Sequence, residues 1–187
     1  MAPASRGAGG ARTDAPQLSL RLWAPWRYAY LRTASSRRQP ACIFCHGGLT
    51  PASRRLNLVL YSDDRALVML NRYPYNNGHI MIAPRRHVAT PESLTRRETS
   101  AIAELLPESV KRLRRVLRPS GFNLGANLGR VAGAGFADHL HWHVVPRWDG
   151  DTNFMPVLAS TRVLSQHLKN SYAQLEPVFR NIGARLS

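Results

Sequence analysis

His139-Leu140-His141-Trp142-His143-Val144-Val145 is the densest run of chemistry in a chain of 187 residues. Imidazoles alternate with apolar side chains, and a period of two is the signature of a β-strand, whose alternate side chains share a face. On that reading Leu140, Trp142 and Val144 enter the core. His139, His141 and His143 line the other face, roughly 7 Å apart at a rise of ~3.3 Å per residue, with His141 flanked and accessible. Alternating histidines also suit a metal, but consecutive same-face positions of one strand do not converge easily on a tetrahedral ion. Upstream, Asn127-Leu128-Gly129 and Gly133-Ala134-Gly135 form a glycine-rich connection whose N–H groups can cradle phosphate oxygens.

Working outward, Leu56–Tyr61 and Ala66–Asn71 are two apolar runs split by Ser62-Asp63-Asp64-Arg65, a hairpin signal. Tyr73 to Gly78 is turn chemistry, followed by a strand over His79–Ala83 that Pro84 stops. Thr90 or Ser93 can cap a helix running to about Leu117, with Ile102, Leu105, Leu113 and Val116 at helical spacing. Pro107 lies inside it and is expected to kink or split it. Strands over Phe122–Leu128 and Leu140–Val145 follow, and about Ser165 to Arg180 is helix-like. The pattern predicts an α+β domain: about five antiparallel strands, one long helix and a C-terminal helix. Residues 1–18 read as a disordered basic tail, and 19–187 as one domain with an aromatic segment at 20–31 and a C-terminal extension at 160–187.

Lys plus Arg number 26 and Asp plus Glu 11, a formal net charge of +15. Polyanions are natural partners for such a chain. However, 24 of the 26 basic residues are arginine, a bias that discounts charge as a functional signal. The run Lys111 to Arg118 reads either as the solvated face of an amphipathic helix or as a nucleic-acid surface, and the first is preferred. No apolar stretch approaches a membrane span, and the first residues lack the apolar core of a secretory signal. A cytoplasmic, reducing setting is expected. Cys42 and Cys45 cannot build a disulfide framework; their spacing suits half a zinc site or two reduced thiols in a turn.

The segment from His139 to Val145 resembles the signature of the histidine triad superfamily of nucleotide hydrolases and transferases. Asn71 to His87 is similar in type and order to the strand, turn and strand that precede it in that family. Leu22 to Arg27, Cys42-Ile43-Phe44-Cys45 and Gly150 to Pro156 look like a bacterial branch that includes dinucleoside tetraphosphate phosphorylases. The likeness spans about residues 20–165.

The resemblance implies that His141 is a nucleophile forming a nucleotidyl-histidine, its other ring nitrogen held by a backbone carbonyl. His143 would stabilise the transferring phosphate, His79 would line the same pocket, and Asn71 would hold the ribose hydroxyls. Asn127, Gly133 and Gly135 would position phosphates. By the same resemblance a structural zinc would be held by Cys42, Cys45, His87 and His139, with no organic cofactor. Where many members carry Gln, Ser or Thr shortly before the first histidine, this chain has Gly135 and Phe136, so phosphate contacts fall to backbone amides or Arg147. The implied activity is cleavage of a dinucleoside polyphosphate such as diadenosine tetraphosphate, with transfer to inorganic phosphate or water by a homodimer or tetramer. Neither membrane nor nucleic acid is expected as a partner. A phosphoramidate hydrolase of the same superfamily and a non-catalytic nucleotide- or RNA-binding protein are the alternatives.

Overall fold

Two strands meet at the hairpin the sequence announces, β1 (Val59–Ser62) and β2 (Ala66–Leu70). Asp63 makes the turn, its carboxylate accepting the backbone N–H groups of Arg65 at 2.9 Å and Ala66 at 2.8 Å. β3 (Ile80–Pro84), β4 (Gly121–Ala126) and β5 (Trp142–Arg147) complete a five-stranded sheet in the order β1-β2-β3-β5-β4, with every pairing antiparallel. The computed structural model describes residues 42–45, 50–151 and 166–182. The tail at 1–18, the aromatic segment at 20–31 and residues 160–165 and 183–187 of the C-terminal extension lie outside these.

Every residue of β2 and β3 is buried, because both faces of the sheet's centre are covered. On one face Val68, Leu70, Ile80, Ile82 and Val144 pack with the helices α2 (Arg96–Leu117) and α3 (Leu168–Phe179). On the other, Leu67, Met69, Met81 and Ala83 pack around Phe44. This second face carries the candidate site.

Several boundaries differ from the expectation, each for a physical reason. A short helix, α1 (Pro51–Leu56), capped by Thr50, precedes β1, so Leu56 ends a helix instead of opening a strand. α2 is capped by Thr95, not Thr90 or Ser93. Thr95 and Glu98 form a reciprocal capping box, and Arg86 grips Glu98 through bonds of 3.0 and 2.7 Å. Pro107 does not split this 22-residue helix. It lies on the solvent side with Ala103, whose carbonyl it leaves without an intrahelical donor but within reach of water.

β5 begins at Trp142, so His139, Leu140 and His141 precede the strand. The register pairs Ile82 with Trp142, and two residues on it would pair Leu140 with Pro84. Proline has no N–H to give the ladder, and the Leu140 N–H turns to the Val88 carbonyl at 2.6 Å. The basic run of α2 is also partly internal: Arg112 bonds Glu108 and the Val178 carbonyl, and Arg114 lies over the Phe122 ring.

Gly78 adopts φ +69°, and a Cβ there would sit 2.3 Å from a Leu117 methyl. Gly78→Ala is expected to destabilise the fold by at least about 1–2 kcal/mol, the cost of the left-handed backbone alone, with the clash adding to it. Thr95→Ala should cost about 1 kcal/mol. Urea unfolding of both variants checks these values.

Candidate active site

His141 is only 4% exposed, yet which of its ring nitrogens is unprotonated is defined by simple bonding. Its Nδ1 lies 2.8 Å from the carbonyl oxygen of His139. A carbonyl only accepts, so the proton resides on Nδ1 and Nε2 keeps its lone pair. The ring stacks on Phe44, with centroids 4.8 Å apart and planes at 30°. It meets His143 edge-on at 4.9 Å, closer than the ~7 Å of ideal strand spacing, because His141 lies outside the strand. Burial pushes the His141 pKa down, and the bond to the His139 carbonyl only partly offsets this.

A second proton order follows from a backbone amide. The Tyr75 N–H donates to Nδ1 of His79 at 3.0 Å, so His79 carries its proton on Nε2. That nitrogen lies 2.9 Å from Nδ1 of His143 and donates to it. His143 therefore holds its own proton on Nε2, as a neutral donor. Burial, followed by the proximity of His141, lowers the His143 pKa to about 4. His79 is fully buried, and the half-exposed Tyr75 ring lies against it at 4.8 Å.

The remaining candidates divide. Asn71 sits beside His79, its Nδ2 3.4 Å from Nδ1, while its Oδ1 accepts the Tyr73 N–H at 2.9 Å. It serves the turn and adjoins the histidines at once. The β4–β5 register sets Gly125 against His143 and Ala126 against Trp142, and Asn127, the next residue along, donates from Nδ2 to the Gly133 carbonyl at 3.4 Å. Gly125 faces open space, so the sheet offers room beside His143. In the glycine-rich turn two amides are already used: Gly133 N–H bonds the Arg130 carbonyl and Ala134 N–H that of Gly129. Gly135 is exposed.

Arg147 lies at the far end of β5. It lies four residues beyond His143, about 13 Å along the strand, and binds Asp151 through bonds of 2.6 and 2.7 Å and Asn123 at 2.8 Å. Asp151 also accepts from Asn76 at 2.7 Å and from the Trp148 N–H at 3.0 Å, tying the Tyr73–Gly78 turn to the end of β5.

Cys42, Cys45, His87 and His139 come together, their ligating atoms all within 4.8 Å of one another. Nδ1 of His139 lies 3.2 Å from Cys42 Sγ, 3.6 Å from Cys45 Sγ and 3.3 Å from Nδ1 of His87. The other nitrogen of His139 donates to the Pro84 carbonyl at 2.9 Å, leaving Nδ1 unprotonated and aimed at the cluster. These four residues are able to hold a metal ion. Sequence reasoning missed Phe44, the ring beneath His139 and His141, whose only signal was its place between the two cysteines.

The histidine arrangement agrees with a family match: the model described as HIT domain covers residues 55–150. The chain belongs to the HIT family. It is 38% identical over 160 residues to an AP-4-A phosphorylase of Mycobacterium tuberculosis, covering 81% of this chain and 80% of that one. Among solved structures, a hypothetical histidine triad nucleotide-binding protein from Sulfolobus tokodaii aligns with a TM-score of 0.57 at 25% identity, over 78% of this chain and 93% of its own. A Zn-bound histidine triad family protein from Mycobacterium smegmatis shares the fold with a TM-score of 0.54 at 21% identity, over 84% and 96% of the two chains. The chain is thus an enzyme of the HIT type, a nucleotidyl transferase or hydrolase. Among the described residues, no helix is long and apolar enough to cross a membrane.

The depressed His143 pKa sets a sign for pH dependence. Unfolded, this imidazole binds a proton below about 6.5; folded, it binds one only near 4. Its contribution to stability is present above pH 6.5 and is lost as the pH falls toward 4. Thermal unfolding across that range should show a steeper loss in the native protein than in His143→Gln, and equal slopes would contradict the assignment.

Proposed function

We propose that this enzyme cleaves a dinucleoside polyphosphate such as diadenosine tetraphosphate, passing a nucleotidyl group through His141 to inorganic phosphate. The observation that carries this reading is the bond from His141 Nδ1 to its own chain's carbonyl, which leaves Nε2 as a neutral nucleophile. Nε2 attacks the α-phosphorus, a P–N bond forms and the bond to the leaving nucleotide's phosphate oxygen breaks. His143, holding its proton on Nε2, is placed to donate to the phosphate group while charge develops. Phosphate then attacks the nucleotidyl-histidine, the P–N bond breaks and His141 returns to its starting tautomer. From diadenosine tetraphosphate the products are ATP and ADP. Asn71, beside His79, and Asn127, one residue beyond the strand that pairs with His143, are assigned to the nucleotide.

The relative in Mycobacterium tuberculosis supports phosphate as the acceptor over water. Mass-resolved products from diadenosine tetraphosphate, with and without phosphate, provide the test. ATP plus ADP only with phosphate is expected; AMP plus ATP without it would make the enzyme a hydrolase, and no cleavage under either condition would refute the substrate. His141→Ala should lower kcat by at least roughly a thousandfold, about 4 kcal/mol of barrier.

The donor set fits zinc. Tetrahedral Zn–N and Zn–S bonds imply N···N separations of about 3.3 Å and N···S of about 3.6 Å, and the cluster shows 3.3 Å and 3.2–3.6 Å. Bound there, zinc would be structural, tying the Cys42–Cys45 turn to the end of β3. Chelation should lower Tm by roughly 5–10 °C, corresponding to about 2.7 kcal/mol at a hundredfold excess over Kd, and zinc should restore it. An unchanged Tm in protein proven metal-loaded at the start would count against the site.

The edge strand β4, with exposed Leu124 followed by Leu128 and Val131, supports a homodimer joined along that edge. The reduced cysteine pair supports a cytoplasmic setting.

A further inference from the structure

Phe44 is a fully buried ring between the two cysteines of the candidate metal cluster. It touches the site in two places: 4.9 Å from the His139 ring, tilted by 44°, and 4.8 Å from the His141 ring, stacked at 30°. Its outer edge meets Phe136, perpendicular at 5.9 Å, and it packs among Val59, Leu67, Met69 and Met81. His141 has no strand ladder to hold it, since β5 begins one residue later. Its ring orientation therefore depends on the His139 carbonyl at Nδ1, the edge of His143 and the face of Phe44.

We infer that Phe44 is a positioning residue for His141, and that the metal-binding turn sets the direction of the nucleophile's Nε2 through this ring. The inference rests on His141 being the nucleophile. The carbonyl fixes which nitrogen is free but leaves the imidazole able to rock about that single bond. The stacked ring removes this freedom. The turn itself is held by Cys42 Sγ at 3.2 Å from His139 and Cys45 Sγ at 3.2 Å from His87, so a bound ion would lock the Phe44 backbone between two ligands. Metal occupancy and attack geometry then become linked without the metal touching substrate. Supporting groups of this kind typically change activity by roughly 10–100-fold when removed.

The test uses Phe44→Leu, which keeps apolar bulk and loses the ring, and Phe44→Met should the first not fold. Zinc per chain, Kd for AMP, and kcat with diadenosine tetraphosphate and phosphate are measured beside the ring C–H proton resonances of His141. In the native protein those protons should lie upfield, shielded by the stacked ring. The variant should keep its zinc and bind AMP within about twofold, while kcat falls roughly 10–100-fold and the upfield shift disappears. The native protein stripped of metal should lose part of the same shift. Unchanged His141 resonances in the variant and the stripped protein would overturn the inference, as would a kcat within twofold of native or a loss that only tracks zinc. Failure of the native enzyme to cleave diadenosine tetraphosphate would refute the functional reading instead, and the resonances would still decide the positioning.

Discussion

His139 bonds in three directions, and the site depends on all three. Its Nε2 donates to the Pro84 carbonyl, its Nδ1 faces the cysteine pair, and its carbonyl accepts from His141. The first bond forces the second, because an imidazole protonated on Nε2 offers only Nδ1 as a ligand. The third sets the tautomer of the neighbouring histidine. Pro84 makes this possible: it cannot extend the ladder toward Leu140, so its carbonyl is left for a side chain. A strand that continued in regular pairing would have used that carbonyl and carried His141 into the sheet.

Alternation and turn residues were enough to read the hairpin, the long helix and the antiparallel sheet, because those depend on period and on local φ/ψ. The ends of elements were less legible. Thr95 competes with Thr90 and Ser93 as a cap, and it is favoured by its capping box with Glu98, which Arg86 grips from twelve residues away. The histidines were legible as a group, but the tautomer of each was not. That information lies in the His139 carbonyl and the Tyr75 amide, backbone groups that every residue possesses. The partners of Arg147 were illegible for a related reason. An arginine near a phosphate site suggests an anion, and nothing local showed that Asp151 would take both arms of its guanidinium.

Both proton orders are imposed by neutral backbone groups. A carboxylate in either place would favour the charged imidazole and raise its pKa, and its negative charge would oppose an approaching polyphosphate. With a carbonyl and an amide instead, burial acts unopposed by any counter-charge on His143 and holds it near 4. His141 and His143 are both neutral at physiological pH, the state the proposed attack and hydrogen-bond donation require.

The arrangement also accounts for where the acidic residues went. Asp63 closes the hairpin turn, Glu98 caps α2, Glu108 holds Arg112 against α3 and Asp151 fastens the turn before His79. Each pairs with an arginine whose position matters to the fold, and the excess of +15 is what remains once every carboxylate is counted. A surplus of that kind acts only at a distance and weakens as salt is added. It cannot select among polyanions, since diffuse charge carries no shape. In the proposed function, selection falls to the few groups that have direction: the space beside Gly125, Asn71 beside His79 and the Nε2 of His141.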